Sequence, residues 1–145
     1  MLNRTLRKIV EQQKILAAAP PHTPVREAAR LMKTMQVGAL LVVEHGRLVG
    51  IFTERDALTR VLAEGRDAET TPLMQVMTLD PITIHPDQSF IMALHLMYEN
   101  GFRHVPVAEN GRPLGMVSAR DALEVEEAEF EKTLRQREHL RAIMA

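Results

Sequence analysis

Apolar and polar positions along the chain form one pattern, and the pattern occurs twice. From Val25 to Met35 the apolar residues are Val25, Ala28, Ala29, Leu31, Met32 and Met35, which is helical spacing. Two short apolar runs follow, ALLVV at 39–43 and LVGIF at 48–52. They have the length and β-branched content of strands and are joined by EHGR. The second occurrence begins with a helical stretch at 90–100 carrying Phe90, Ala93, Leu94 and Met97. It continues with HVPVA at 104–108 and LGMVS at 114–118, joined by ENGR. The His-Gly and Asn-Gly pairs suit tight hairpin turns. Each helix is preceded by a proline-containing loop, PPHTP or HPDQS. Each loop follows a short apolar run, ILAAA at 15–19 or ITI at 82–84. Further helices begin at Thr53 and Ser118, so each unit reads β-α-β-β-α.

The two occurrences are copies. Residues 37–58 align on 102–123 without a gap, at an offset of 65 residues: Gly50 falls on Gly115, Arg55 on Arg120 and Asp56 on Asp121. Such internal repetition predicts a doubled unit whose halves bind related things. The implied organisation is an N-terminal helix at 1–14, a first repeat at 15–64, a linker and second repeat at 65–127, and a C-terminal helical extension at 128–145. Residues 2–14 place Leu2, Leu6, Ile9 and Val10 on one side of a helix. Residues 120–145 form a long helical stretch with a sparse apolar stripe. Both stripes need cover, from the other terminus or from a second copy of the chain. In the linker, Leu73, Val76 and Met77 predict a short helical turn that docks.

Composition narrows the class. At 145 residues with 46% apolar content the chain has the length and character of one globular domain. Half of it would bury only a marginal core, so the halves are expected to pack together. There is no cysteine, hence no disulfide, thiolate metal site or cysteine nucleophile. No apolar run approaches the ~20 residues that span a bilayer. The charged N-terminus lacks a signal peptide's apolar core. The expectation is a cytoplasmic protein without membrane insertion. A net charge of −1 with no basic cluster argues against nucleic acid.

The candidate chemistry lies where the second hairpin strand meets its helix. The two segments read Gly50-Ile51-Phe52-Thr53-Glu54-Arg55-Asp56 and Gly115-Met116-Val117-Ser118-Ala119-Arg120-Asp121. A hydroxyl at a helix start with a carboxylate three residues on is the pattern of a capping box. Its recurrence at equivalent points, with Asp rather than Glu or Gln in both copies, favours a ligand role. A helix start offers free N–H groups and the positive dipole end to phosphate. A carboxylate beside it accepts from a ribose diol. Arg55 and Arg120 add charge-assisted donors.

These residues resemble a tandem pair of cystathionine-β-synthase (CBS) domains, a Bateman module. The resemblance covers about residues 15–125. It rests on VGALLVVEHGRLVGIFTERD, on Met77-Thr78 followed by DPITIHPDQSF, and on FRHVPVAENGRPLGMVSARD. It implies an α+β fold of two β-α-β-β-α repeats packed by their sheets about a pseudo-twofold axis, with extra terminal helices. It also implies two clefts that take AMP, ADP, ATP, NAD(H) or S-adenosylmethionine, no catalysis, and regulation of another protein. Carried over by the resemblance, Thr53 with Asp56 and Ser118 with Asp121 hold ribose. Val37, Gly38 and Ala39, with Phe102, Arg103 and His104, form the strand starts that meet the base. Ile51 and Met116 lie against the base, and Ala17, Ala18, Thr83 and Ile84 on the first strands line the clefts. Only the second copy has basic side chains at its strand start, Arg103 and His104, so unequal sites are expected. A homodimer is implied too. The sequence adds its own reason in the terminal stripes, so that deleting residues 1–12 is expected to weaken the dimer and leave the repeats folded.

Other features are bland. The histidines at 22, 45, 85, 95 and 139 fall in loops, a turn or helix surfaces, without metal-ligand spacing. Met32, Met35, Met92 and Met97 read as core filler. The remaining readings are an enzyme using Asp56 and Asp121, which lacks a nucleophile or oxyanion donor, and a structural dimerisation unit with vestigial clefts.

Overall fold

In the computed structural model, residues 3–144 are described, with side chains for all of these except 125 and 126; Leu2 of the N-terminal stripe lies outside the described residues. Helix α1 (Leu6–Glu11) leads to β1 (Ala18–Ala19), α2 (Val25–Met35), β2 (Ala39–Glu44) and β3 (Arg47–Thr53). A single α-turn, α3 (Glu54–Asp56), continues as a π-helix over Ala57–Leu62. A 3-10 turn at Leu73–Gln75 and strand β4 (Thr78–Leu79) lead into α4 (Phe90–Asn100), β5 (His104–Glu109), β6 (Arg112–Ser118) and the long α5 (Ala119–Met144).

The hairpins form as their turn residues dictate. His45 and Gly46, and Asn110 and Gly111, all take positive φ, at 52°, 77°, 53° and 79°. Positive φ at both central residues is the twist-matched turn that keeps paired strands together. The first repeat's sheet runs β1-β2-β3-β4, with β1 parallel to β2 and the other pairs antiparallel. The second has β5 and β6 in the same register, with Ile84 alone bridging to Val107 where a strand at 82–84 is predicted.

Strand β2 explains its unbroken apolar run. Leu40 and Val42 face α2 with Phe52, whereas Ala39, Leu41 and Ile51 face the other repeat beside Met116. A strand buried on both faces has no solvent side on which to alternate. Met32 and Met97 are core, as expected, but Met92 is exposed. The third apolar group, joined by Ala18, Val43 and Leu48, is the seam between the repeats. Leu48 N–H also donates to the Gly111 carbonyl across that seam, at 2.9 Å.

Each repeat is completed by the segment that precedes the other. Phe90 N–H donates to Arg4 O (3.0 Å), and the matching Val25 N–H donates to Thr71 O (2.9 Å). Leu6 N–H donates to Gln88 O (2.9 Å) as Leu73 N–H does to Thr23 O (2.9 Å). Arg7 N–H donates to Pro86 O (2.8 Å) as Met74 N–H does to Pro21 O (3.0 Å). Segments 4–10 and 71–77 are therefore counterparts, at an offset of 67 residues (Arg4 to Thr71) rather than 65. Leu6, at 0% exposure, and Val10, at 5%, sit in the second core with Phe90, Ala93 and Val105. Leu73 and Val76 sit in the first. Leu6 and Val10 of the N-terminal stripe are thus covered within the chain, by the core of the second repeat rather than by the other terminus or a second copy. The linker turn docks as predicted.

Candidate functional site

The motif glycines show why the covering segments lie so close. A Cβ at Gly50 would overlap the Met77 side chain, and one at Gly115 would come within 2.7 Å of Val10 Cγ1. Met77 and Val10 are counterparts at the offset of 67. Each covering segment therefore crosses its strand over a glycine, just before the motif. The helix start after each motif is tied to the strand start of its own repeat: Glu54 N–H donates to Gly38 O (2.9 Å) and Ala119 N–H to Arg103 O (3.0 Å).

Both capping geometries exist, and they differ. Thr53 N–H donates to Asp56 Oδ2 (2.9 Å) and Asp56 N–H donates to Thr53 Oγ1 (3.2 Å), a complete capping box. Asp56 is 7% exposed, and its Oδ1 lies 3.5 Å from Arg60 Nε. In the second copy Ser118 N–H donates to Asp121 Oδ2 at 2.7 Å. The residue aligned with Arg60 is Val125, which carries no charge. The Asp121 side chain makes no ion pair among the described residues and is only half-buried. A carboxylate has about four acceptor sites, so capping leaves capacity for a ligand in both copies. More of it is free on Asp121.

Two clefts flank the seam. The first, about 730 Å³, joins the first motif (Ile51, Thr53, Arg55, Asp56) to the strand start of the second repeat (Phe102, Arg103, His104), with Thr78, Asp80 and Ile82 along one side. The second, about 1030 Å³, joins the second motif (Met116, Ser118, Arg120, Asp121) to the strand start of the first (Val37, Gly38), with Gln13, Met35 and Glu124. Each cleft thus takes its motif from one repeat and its opposite wall from the other. Arg103, His104 and Glu54 line both. The basic pair expected to serve one site stands between the two. Ala39 and Thr83 line neither cleft. Ala39 is fully buried in the seam opposite Thr53, and Thr83 points to solvent one residue from the lining Ile82. Ala17, Ala18 and Ile84 are likewise absent from both walls.

The cations differ in how far they are committed. Arg55 Nη1 donates to Gly101 O (3.2 Å), and Arg60 Nη1 donates to Met77 O (2.9 Å) and Val76 O (3.3 Å). Arg120 lies 3.8 Å from Glu124. Burial pushes the His104 imidazole below its ordinary pKa of 6.5; Glu54 and Asp121 oppose the shift and Arg103 adds to it. Gln13, Glu54 and the segment 78–82 were not visible as site residues in the sequence. The signal that could have found the last is the Met77-Thr78 preceding the second repeat, whose β4 pairs Thr78 with Ile51.

A strand-helix junction doubled across a seam, with two clefts between the copies, defines a tandem two-repeat module. The CBS domain family model matches residues 9–63 and 73–128, and the chain belongs to that family. It is 37% identical over 106 residues to the CBS domain-containing protein YhcV of Bacillus subtilis, covering 73% of this chain and 75% of that one. It is 38% identical over 99 residues to CBSCBSPB5 of Arabidopsis thaliana, covering 68% of this chain but 18% of that much longer protein. Among solved structures it resembles the CBS domain protein PAE2072 from Pyrobaculum aerophilum complexed with AMP. That match has a TM-score of 0.74, 25% identity, and coverage of 87% and 99% of the two chains. The fold is the α+β tandem CBS pair, a regulatory module. Among the described residues no helix is long and apolar enough to cross a membrane.

Proposed function

We propose that this CBS pair binds an adenosine-containing ligand, one of AMP, ADP, ATP, NAD(H) or S-adenosylmethionine, without turning it over, and passes its occupancy to a partner protein in the cytoplasm. The observation that carries the reading is the crossed construction of the clefts. A ligand held by Asp56 or Asp121 also meets the strand start of the other repeat, so binding draws the repeats together. A ligand that prefers one arrangement of the repeats shifts the population toward it. The volumes suit a nucleotide, and the AMP complex of the Pyrobaculum protein supports the ligand class. Asp56 and Asp121 would take ribose, and Arg103 and His104 phosphate. Thermal melts of ligand-free protein test it. The true ligand at 100 times its Kd should add about 2.7 kcal/mol. No stabilisation by any of the five at millimolar concentration overturns the reading and leaves a structural unit.

The same proposal includes a homodimer. On α5, Phe130 is 65% exposed, and Leu134, Leu140 and Ile143 are exposed as well. A twofold partner is the commonest closed cover for such a stripe. Sedimentation should show a dimer at tens of micromolar. Phe130→Glu with Leu134→Glu should shift it to monomer while circular dichroism keeps the folded signal.

A further inference from the structure

The two clefts differ at one edge. Ile51 and Met116 are counterparts, each on the outer edge of its hairpin. The Ile51 backbone pairs with Thr78 of β4, so the edge is covered by main chain. Among the described residues no strand covers Met116. Instead the side-chain amide of Gln13 stands there: its Nε2–H donates to Met116 O at 2.7 Å, and its Oε1 accepts from Met116 N–H at 3.2 Å. Gln13 is solvent-exposed and lines the second cleft beside Met116.

A primary amide presents one donor and one acceptor side by side. Adenine presents the same pair on each of two edges, its N6 amine beside N7 or N1. We propose that the Met116 main chain is the base-reading edge of the second cleft, and that Gln13 is its internal occupant, which an adenine must displace. This rests on the adenosine reading above and adds its specificity. The backbone N–H and C=O of Met116 select a ligand carrying an adjacent donor and acceptor. The Ile51 edge, closed by Thr78, offers no such reading. The displaced amide is solvent-exposed and regains part of its hydrogen bonding from water. The hydrogen bonds it gives up set a threshold that only a base of matching pattern repays.

In protein labelled with ¹³C-methyl methionine the Met116 and Met35 signals report the second cleft, since both line it and among the described residues no methionine lines the first. Titration compares adenosine with purine riboside, which lacks the N6 amine and therefore the donor to Met116 O. The expected result is movement of the Met116 and Met35 methyl signals by adenosine, and by purine riboside only at about tenfold higher concentration. Gln13→Ala, which empties the edge, should tighten adenosine about fivefold to tenfold in these signals. Equal titration by the two nucleosides in the wild-type protein overturns the inference and leaves the adenosine reading standing, and this comparison needs no variant. Unchanged or weakened adenosine binding in folded Gln13→Ala also overturns it, and makes Gln13 a cover of the sheet edge only. Methyl signals that no adenosine-containing ligand moves, in protein that no such ligand stabilises, sink both readings.

Discussion

The first and second repeats share their hairpins and motifs, yet they are finished differently. The first repeat is closed by main chain: β4 extends its sheet, the π-helix over Ala57–Leu62 brings Arg60 to Asp56, and the capping box is complete. The second is closed by side chains: Gln13 stands for a strand, and Asp121 accepts one capping bond and makes no ion pair among the described residues. Equal motifs thus sit in unequal surroundings. The first is the better-held structure, and the second has more unspent hydrogen-bonding capacity. Occurrence of a motif in both halves says that two clefts exist. It does not say that they do equal work.

The strongest test of that comparison is the covering segments. Leu6→Ala and Leu73→Ala each remove a fully buried side chain and should cost about 2–5 kcal/mol in urea denaturation. Similar losses would confirm that segments 4–10 and 71–77 are equivalent covers. A neutral Leu6→Ala would show that the second repeat stands without its cover. Deleting residues 1–12 should unfold the second repeat, contrary to what the sequence pattern led us to expect. Next in size is the motif glycine. Gly50→Ala and Gly115→Ala should each cost about 1–3 kcal/mol by overpacking. Gly115→Ala is the costlier, because Val10 Cγ1 and Cβ lie 2.7 and 2.8 Å from the added carbon and a buried β-branched side chain yields less than the flexible Met77 does.

The carboxylates separate holding from binding. Asp56→Asn should lower stability by about 1 kcal/mol through the capping box and the Arg60 pair. Asp121→Asn should leave the melting temperature nearly unchanged and weaken ligand binding by about 1.5–3 kcal/mol. Calorimetry and melts on both variants read the two effects, and identical behaviour of the pair would erase the distinction drawn between the clefts.

The smallest expected effect is that of His104. Its folded pKa lies below its ordinary value of 6.5, with burial as the first cause. The unfolded chain therefore takes the proton more readily. Stability from the neutral imidazole is fully present above pH 6.5 and falls away as pH drops through the folded pKa. Between pH 7.5 and 5.5 the wild-type protein should lose more stability than His104→Gln. Equal losses would show that the ridge between the clefts does not resist protonation.

Much of this was legible in the residues. Helices 25–35 and 90–100, the hairpin turns at His45-Gly46 and Asn110-Gly111, and the start of α5 follow from periodicity and turn chemistry, because these are local properties. The exchange of covering segments was not. RTLRKIV and TPLMQVM share little beyond Leu6 and Leu73, and their offset differs from that of the repeat. A stripe on a short helix says that cover is needed but not where it lies, and here the cover is 80 residues away, as Arg7 with Asp87 shows. The motif residues were legible because they repeat. The crossed pairing was not, because which strand start faces which motif is decided by the seam. Ala39 was misplaced for the same reason: its neighbour Gly38 reaches the cleft, and alternation turns Ala39 into the seam.

The exchanged segments also bear on how the chain is made. During synthesis residues 4–13 emerge long before Phe90, Val105 and Val117, the surfaces that receive them. The first repeat is in the same position on a shorter scale, complete only after Leu73 and Val76 have emerged. Neither half can therefore settle as its own residues appear, and the amphipathic turn at Leu6–Glu11 must stay unplaced, or be sheltered, until the second hairpin exists. Residues 4–13, built before either hairpin, are among the last to find their place.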